Sequence, residues 1–288
     1  MEIYSGKGTL FMGLDAFVPC NCFIEGKTTE PPVPREWIMK DDEGYFCLNP
    51  EYSNDDSLKD KIHLWSEHCC KHSGMKIRQS ICNWAGVRAF QQAIRQIDPT
   101  LFPILSTQLP NANGGCIHIE DIKKALSELD LFENYVNSIR SVYLINTDNQ
   151  QVMYEYIDAY RGRIITSQRY SLAFNKDGLN IFELETERVR FKGKRIEQQV
   201  YFYPQWIYRS LYALNNKVSS IKKVRWINRD TGEAFETPWG LSIDGETYPT
   251  GFSVEERAVS PSEYQYITQP LRNIFIVAIE MNNAVFWC

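Results

Sequence analysis

The hydrophobic period changes near residue 140, and that change restricts the fold of this 288-residue chain more than any other feature. Upstream, apolar side chains recur at three and four residues, the spacing of a helix face. Leu58, Ile62, Trp65, Cys69 and His72 form one such stripe, so the spacing predicts a helix from Asp55 to His72, capped by Asn54 and stopped by Gly74. A second helix is expected from Ser80 to Ile97, with Trp84, Val87, Phe90, Ile94 and Ile97 inward and Asp98-Pro99 ending it. A third is expected from Ile119 to Val136 around Ile122, Leu126, Leu129 and Phe132. Ahead of them, Leu14 to Phe23 reads as a buried strand with Pro19 at its edge and Asp15 as its one odd residue. Pro31-Pro32-Val33-Pro34 belongs to an exposed linker.

Downstream the period is two. Hairpins are expected around Asp148-Asn149-Gln150, Asn175-Lys176-Asp177-Gly178, Gly193-Lys194 and Asp230-Thr231-Gly232. A short helix is expected at Pro204–Leu214, and closing strands at Phe252–Val259 and Ile274–Trp287. Helices gathered first and hairpins later predict an α+β fold, an N-terminal strand and three-helix region packed on a C-terminal, mostly antiparallel β-sheet. Residues 1–140 and 141–288 are expected to share one continuous core, since no Gly/Ser linker divides them. Two hairpins share a pattern, Ile145-Asn146-Thr147-Asp148 and Ile227-Asn228-Arg229-Asp230, which turn chemistry explains without a duplication.

All four histidines and seven of the eight cysteines fall between Cys20 and His118, with Cys288 the exception. His68-Cys69-Cys70-Lys71-His72 is the densest piece and Cys20-Asn21-Cys22 its nearest companion. Soft donors at this density suit zinc, and the candidate ligands are Cys20, Cys22, His68, Cys69 and His72. Cys20 and Cys22 alternate along an expected strand, so both can face one ion only if that strand bends. The competing account packs the same residues as inert helix-stripe thiols. Candidate catalytic groups are Asp15, Cys22, Cys116 and His118. Cys116 and His118 precede the third helix, where the dipole favours a thiolate. Structural pairing, with Arg88 as one available partner, is the plainer role for Asp15.

Candidate binding residues are Trp84 and Arg88 on the second helix and Arg188, Arg190 and Lys192 on a basic strand. Glu183, Glu185, Glu187 and Glu197 lie near that strand and suggest a self-neutralised face. The net charge of −5 resides in the first 140 residues, the remainder being neutral. That balance disfavours nucleic acid as a partner and favours protein. No apolar run approaches a membrane span. Met1 and the Met12-Gly13 step are both candidate translation starts. Free thiols, including the adjacent Cys69-Cys70, indicate a reducing cytoplasmic setting. The expected function is a non-catalytic interaction or accessory protein of the immunity or defence type, with a structural metal site, zinc being the candidate, as an option beside the packed-thiol account. The alternative is a metal- or thiol-dependent hydrolase centred on the same Cys/His cluster.

Overall fold

The fold was read from a computed structural model, which describes residues 13–41, 44–52, 55–202 and 221–288. Its architecture is α+β, with every strand pairing antiparallel. The described residues up to Ile139 form one compact unit together with Val259–Cys288, and Arg140–Ala258 form another. The boundary expected near residue 140 is therefore where the chain passes between units. The last thirty residues, expected in the β-rich half, return to the first.

In chain order the first unit contains β1 (Gly13–Pro19), β2 (Ile38–Lys40), β3 (Phe46–Leu48), α1 (Asp56–Ser66), β4 (Met75–Asn83), α2 (Trp84–Ile97), α3 (Leu105–Gln108), β5 (Cys116–Ile117) and α4 (Ile119–Tyr135). The second unit runs from β6 (Arg140–Asn146) and β7 (Val152–Glu155) through β8 (Arg163–Thr166), β9 (Tyr170–Asn175), β10 (Gly178–Glu183), β11 (Val189–Gly193), β12 (Arg195–Phe202), β13 (Ile221–Asn228) and β14 (Ala234–Thr237) to β15 (Gly251–Ala258). The first unit closes with α5 (Gln265–Met281) and β16 (Val285–Trp287).

Strand β1 is central in a sheet ordered β4-β1-β16-β5, so its backbone is paired on both edges. Leu14, Ala16, Phe17 and Val18 are all buried. Asp15 fits because Arg78 on β4 donates to its carboxylate at 3.1 Å. Asp15 is paired with Arg78 and not with the expected Arg88, which ties α2 to a neighbouring loop by donating to the Asn111 carbonyl at 2.8 Å. Phe90, Phe132 and Tyr264 interlock edge to face above the sheet.

Several expected elements differ. Helix α1 ends at Ser66, six residues before His72. Its cap is Asp55, whose carboxylate accepts from the Ser57 amide, while Asn54 lies outside the described residues. Beyond Ser66 the backbone is spent on turns, with the Cys69 carbonyl accepting from Thr29 and the Cys70 carbonyl from Ser73. Ser80–Asn83 belongs to β4, and α2 begins at Trp84, where Asn83 caps Gly86. The run Ile274–Ile279 is helical because Ile267, Leu271, Ile274, Phe275 and Ala278 recur at helical spacing into the core. Of the closing strand expected at Ile274–Trp287, only the tail, β16, is a strand. The expected helix at Pro204–Leu214 lies outside the described residues.

In the second unit, β14-β13-β12-β15-β6-β7 and β11-β10-β9-β8 form two sheets. Their buried side chains merge into one cluster that includes Leu144, Phe174, Ile181, Phe191, Trp226 and Phe252. The turn at Gly193-Lys194 does not make a hairpin: β11 pairs with β10 in the smaller sheet, whereas β12 pairs with β13 and β15 in the larger. The two Asn-x-Asp hairpins occupy matching places. Asn228, Ile196, Phe252 and Asn146 lie in one row across the larger sheet, with Ile196 opposite Phe252 at its centre. Each buried Asn accepts from the amide two residues on, at 2.9 Å for Asn146 and 2.8 Å for Asn228.

Candidate metal centre

The antiparallel pairing of β1 with β4 sets the position of the centre. Pro19 at the end of β1 lies opposite Met75 at the start of β4, across an irregular step in the register. The residues just after β1 and just before β4 must therefore meet. Those residues are Cys20-Asn21-Cys22 and Cys70-Lys71-His72. The Cys20 amide donates to the Gly74 carbonyl at 2.9 Å, and Met75 donates to His72 at 2.9 Å. Gly74 has φ +76, a left-handed turn that glycine adopts without penalty and that reverses the chain into β4.

After Pro19 the chain leaves the strand and turns. The Asn21 carbonyl accepts from Glu25 at 2.9 Å and the Cys22 carbonyl from Lys27 at 2.7 Å. That bend lets both sulfurs face the same side. The sulfurs of Cys20 and Cys70 are 3.6 Å apart, and the Cys22 sulfur is 3.3 Å from Nδ1 of His72. The donor atoms of Cys20, Cys22, Cys70 and His72 all lie within 4.8 Å of one another. Ligands at the usual zinc–thiolate and zinc–imidazole lengths on a tetrahedron are about 3.5–3.8 Å apart. This group can hold a metal ion.

Two of the expected ligands fall elsewhere. His68 is exposed in the turn after α1, and its amide donates to Trp65. Cys69 is fully buried beside the group, its sulfur 4.0 Å from that of Cys70. Expecting the helix to continue put Cys69 and His72 on one face. The turn instead turns Cys70 and His72 toward the donors from β1. Cys70 is the ligand absent from the expected set, and its signal in the sequence is spacing: Cys20-x-Cys22 and Cys70-x-His72 share the same two-residue step.

Burial sets the thiol acidities. It pushes Cys20 up to about 12 and Cys69 up to about 11. Burial acts on Cys70 in the same sense, but hydrogen bonds from the backbone at Gly74 and His72 and from the thiols of Cys20 and Cys22 outweigh it and lower its pKa. Lys40 on β2 lies in the field of Cys20: burial lowers its pKa while the thiolate favours its charge.

The loop carrying Cys20 and Cys22 is anchored on both flanks. Asn21 donates to the Met281 carbonyl at the end of α5, and Asn283 donates to Pro19 and to Asn21, each at 2.8–2.9 Å. On the other flank Phe23 packs against Phe46 and Trp65, under the Arg35 guanidinium.

The remaining candidates lie outside this group. The Cys116 sulfur is 3.8 Å from Nε2 of His118, half-buried beside an exposed ring and apart from the metal group. Arg88 lies over the Trp84 ring and holds Gln91 at 3.1 Å. Arg188, Arg190 and Lys192 are exposed, with Phe191 between them directed into the core. Lys192 approaches Asp177 at 4.0 Å, whereas Glu183 and Glu197 pair with Arg169 and Arg229. No helix among the described residues is long and apolar enough to cross a membrane. Comparison with family models, curated proteins and solved structures gives no match to this chain.

Proposed function

We propose that Cys20, Cys22, Cys70 and His72 bind one zinc ion as a closed structural centre in a non-catalytic cytoplasmic interaction protein. The convergence of four soft donors within 4.8 Å carries this reading. Three thiolates and one imidazole suit zinc and match poorly with calcium or magnesium, which take oxygen ligands. Four protein donors fill a tetrahedron and leave no position for water or substrate, which favours a structural role over a hydrolytic one. Three thiolates on a dication leave one net negative charge, and the half-buried Lys40 ammonium is placed to offset it. The interaction role draws on Ile24 and Leu64, apolar side chains 77% and 63% exposed on the region that zinc would stabilise. None of the eight cysteines is disulfide-bonded, which fits a reducing compartment.

Elemental analysis of untagged protein tests the metal directly. About one equivalent of zinc per chain is expected, and less than about half an equivalent contradicts the reading. The Cys70→Ser variant should lose at least about tenfold in zinc affinity. His68→Ala should bind as the parent does; the reverse pattern would assign the ligands differently.

A further inference from the structure

Zinc ligands this close together are also thiols close enough to join. The Cys20 and Cys70 sulfurs, 3.6 Å apart, need to close by only about 1.5 Å to reach disulfide length. Cys20, Cys22 and Cys69 are buried, whereas Cys70 is half-exposed, so a small oxidant meets Cys70 first. Cys69 at 4.0 Å and Cys22, whose sulfur lies within 4.8 Å, are rival partners; a bond between the neighbours Cys69 and Cys70 closes a small, strained ring, and a Cys22–Cys70 link would also overturn the proposed pairing.

Building on the zinc reading, we propose that Cys70 and Cys20 form an oxidative modification site at which a hydroperoxide converts the centre to a disulfide and releases its metal. The Cys70 thiolate attacks one peroxide oxygen, the O–O bond breaks, and the departing oxygen leaves as hydroxide from hydrogen peroxide, or as alkoxide from an organic hydroperoxide, and takes up a proton. Cys70 is then a sulfenic acid. The Cys20 thiolate attacks the Cys70 sulfur and expels the second oxygen, again as hydroxide that becomes water. Two thiolates supply the two electrons that reduce the peroxide. Zinc keeps only Cys22 and His72 and dissociates. The modified turn also contains Asn21, whose side chain holds the end of α5, so oxidation reaches the C-terminal turn of that helix.

Zinc-loaded full-length protein titrated with hydrogen peroxide beside a chromogenic chelator tests the proposal, with disulfides mapped by mass spectrometry without reduction. One zinc should be released per Cys20–Cys70 disulfide, and a dithiol with added zinc should reverse the change. Cys69→Ser should release zinc with the same stoichiometry. A Cys69–Cys70 link, a Cys70 sulfinic acid without disulfide, or zinc retained while methionines oxidise would overturn the proposal. Protein isolated without zinc defeats the zinc reading instead. In that metal-free protein a Cys20–Cys70 link upholds the thiol pairing, and its absence overturns it.

Discussion

The segment from Cys20 to Gly74 and the unit Arg140–Ala258 are held by different means. The first gathers four buried apolar side chains, Val33, Ile38, Leu48 and Ile62, with aromatic rings packed around them. The second gathers twelve, including Trp226, Phe252 and Phe174, between strands of two sheets. All cysteines and histidines lie in the unit containing the smaller cluster, and Arg140–Ala258 has none. Cys288, isolated in sequence, pairs with Asp15 in the same sheet as β1. The segment with the smaller cluster has four soft donors that could hold a metal ion, and the unit with the larger cluster has no cysteine or histidine.

Chelation should separate the two most strongly. Structural zinc contributes on the order of 10 kcal/mol in small metal-folded domains. Zinc removal with a strong chelator should therefore abolish hydrogen-exchange protection across residues 20–74 while leaving β12, β13 and β15 protected. Equal loss in both regions would show that the contrast is not one of metal against core.

The contrast between the regions was only partly readable in the sequence. The α+β division and the hairpins at Asp148, Asp177 and Asp230 followed from period and turn residues, although β9 and the end of β6 are buried on both faces. The all-apolar run at Ile274–Ile279 carried no period, so its helix had to be found from Leu271 and Ile267 upstream and from Ser260 and Glu263, which form a capping box. Met75–Asn83 does alternate, with Lys76, Arg78 and Ser80 outward, but the helical pattern that follows obscured it. The donor set was legible as a neighbourhood and not as a list. Choosing Cys70 over Cys69 depends on where α1 stops, which the Thr29–Cys69 and Ser73–Cys70 hydrogen bonds decide over long and short range together.

A mutation in the large core should act in the opposite sense to chelation. Trp226 is fully buried, and its indole donates to Thr237 at 2.8 Å. Trp226→Ala should cost about 3–5 kcal/mol in denaturant unfolding of the β-rich unit and leave zinc content unchanged. Loss of zinc in that variant would break the comparison.

Acidification should separate the regions by pH. Zinc binding needs deprotonated thiols, and the metal-free Cys20 thiol is pushed up to about 12, so protons compete increasingly as pH falls. In the β-rich unit, backbone amides of Thr247 and Glu246 hold the Asp244 carboxyl below its ordinary value. That stabilisation is complete above about pH 4 and is lost as pH falls through the depressed value. Between pH 7 and pH 5, hydrogen-exchange protection, corrected for the intrinsic slowing of exchange with falling pH, should fall across residues 20–74 and stay constant around Asp244.

The smallest effect is expected at Asp15. Its ion pair with Arg78 is partly exposed, so Asp15→Asn should cost no more than about 1 kcal/mol by thermal unfolding. A much larger loss would make Asp15 part of what holds the metal-bearing unit together.

Zinc-edge X-ray absorption on the purified, untagged chain probes the ligand set without altering it. The account predicts three sulfur scatterers at about 2.3 Å and one nitrogen at about 2.0 Å around a single zinc ion. A shell dominated by oxygen or nitrogen, or two sulfurs with an open water position, would contradict the closed centre built from Cys20, Cys22, Cys70 and His72.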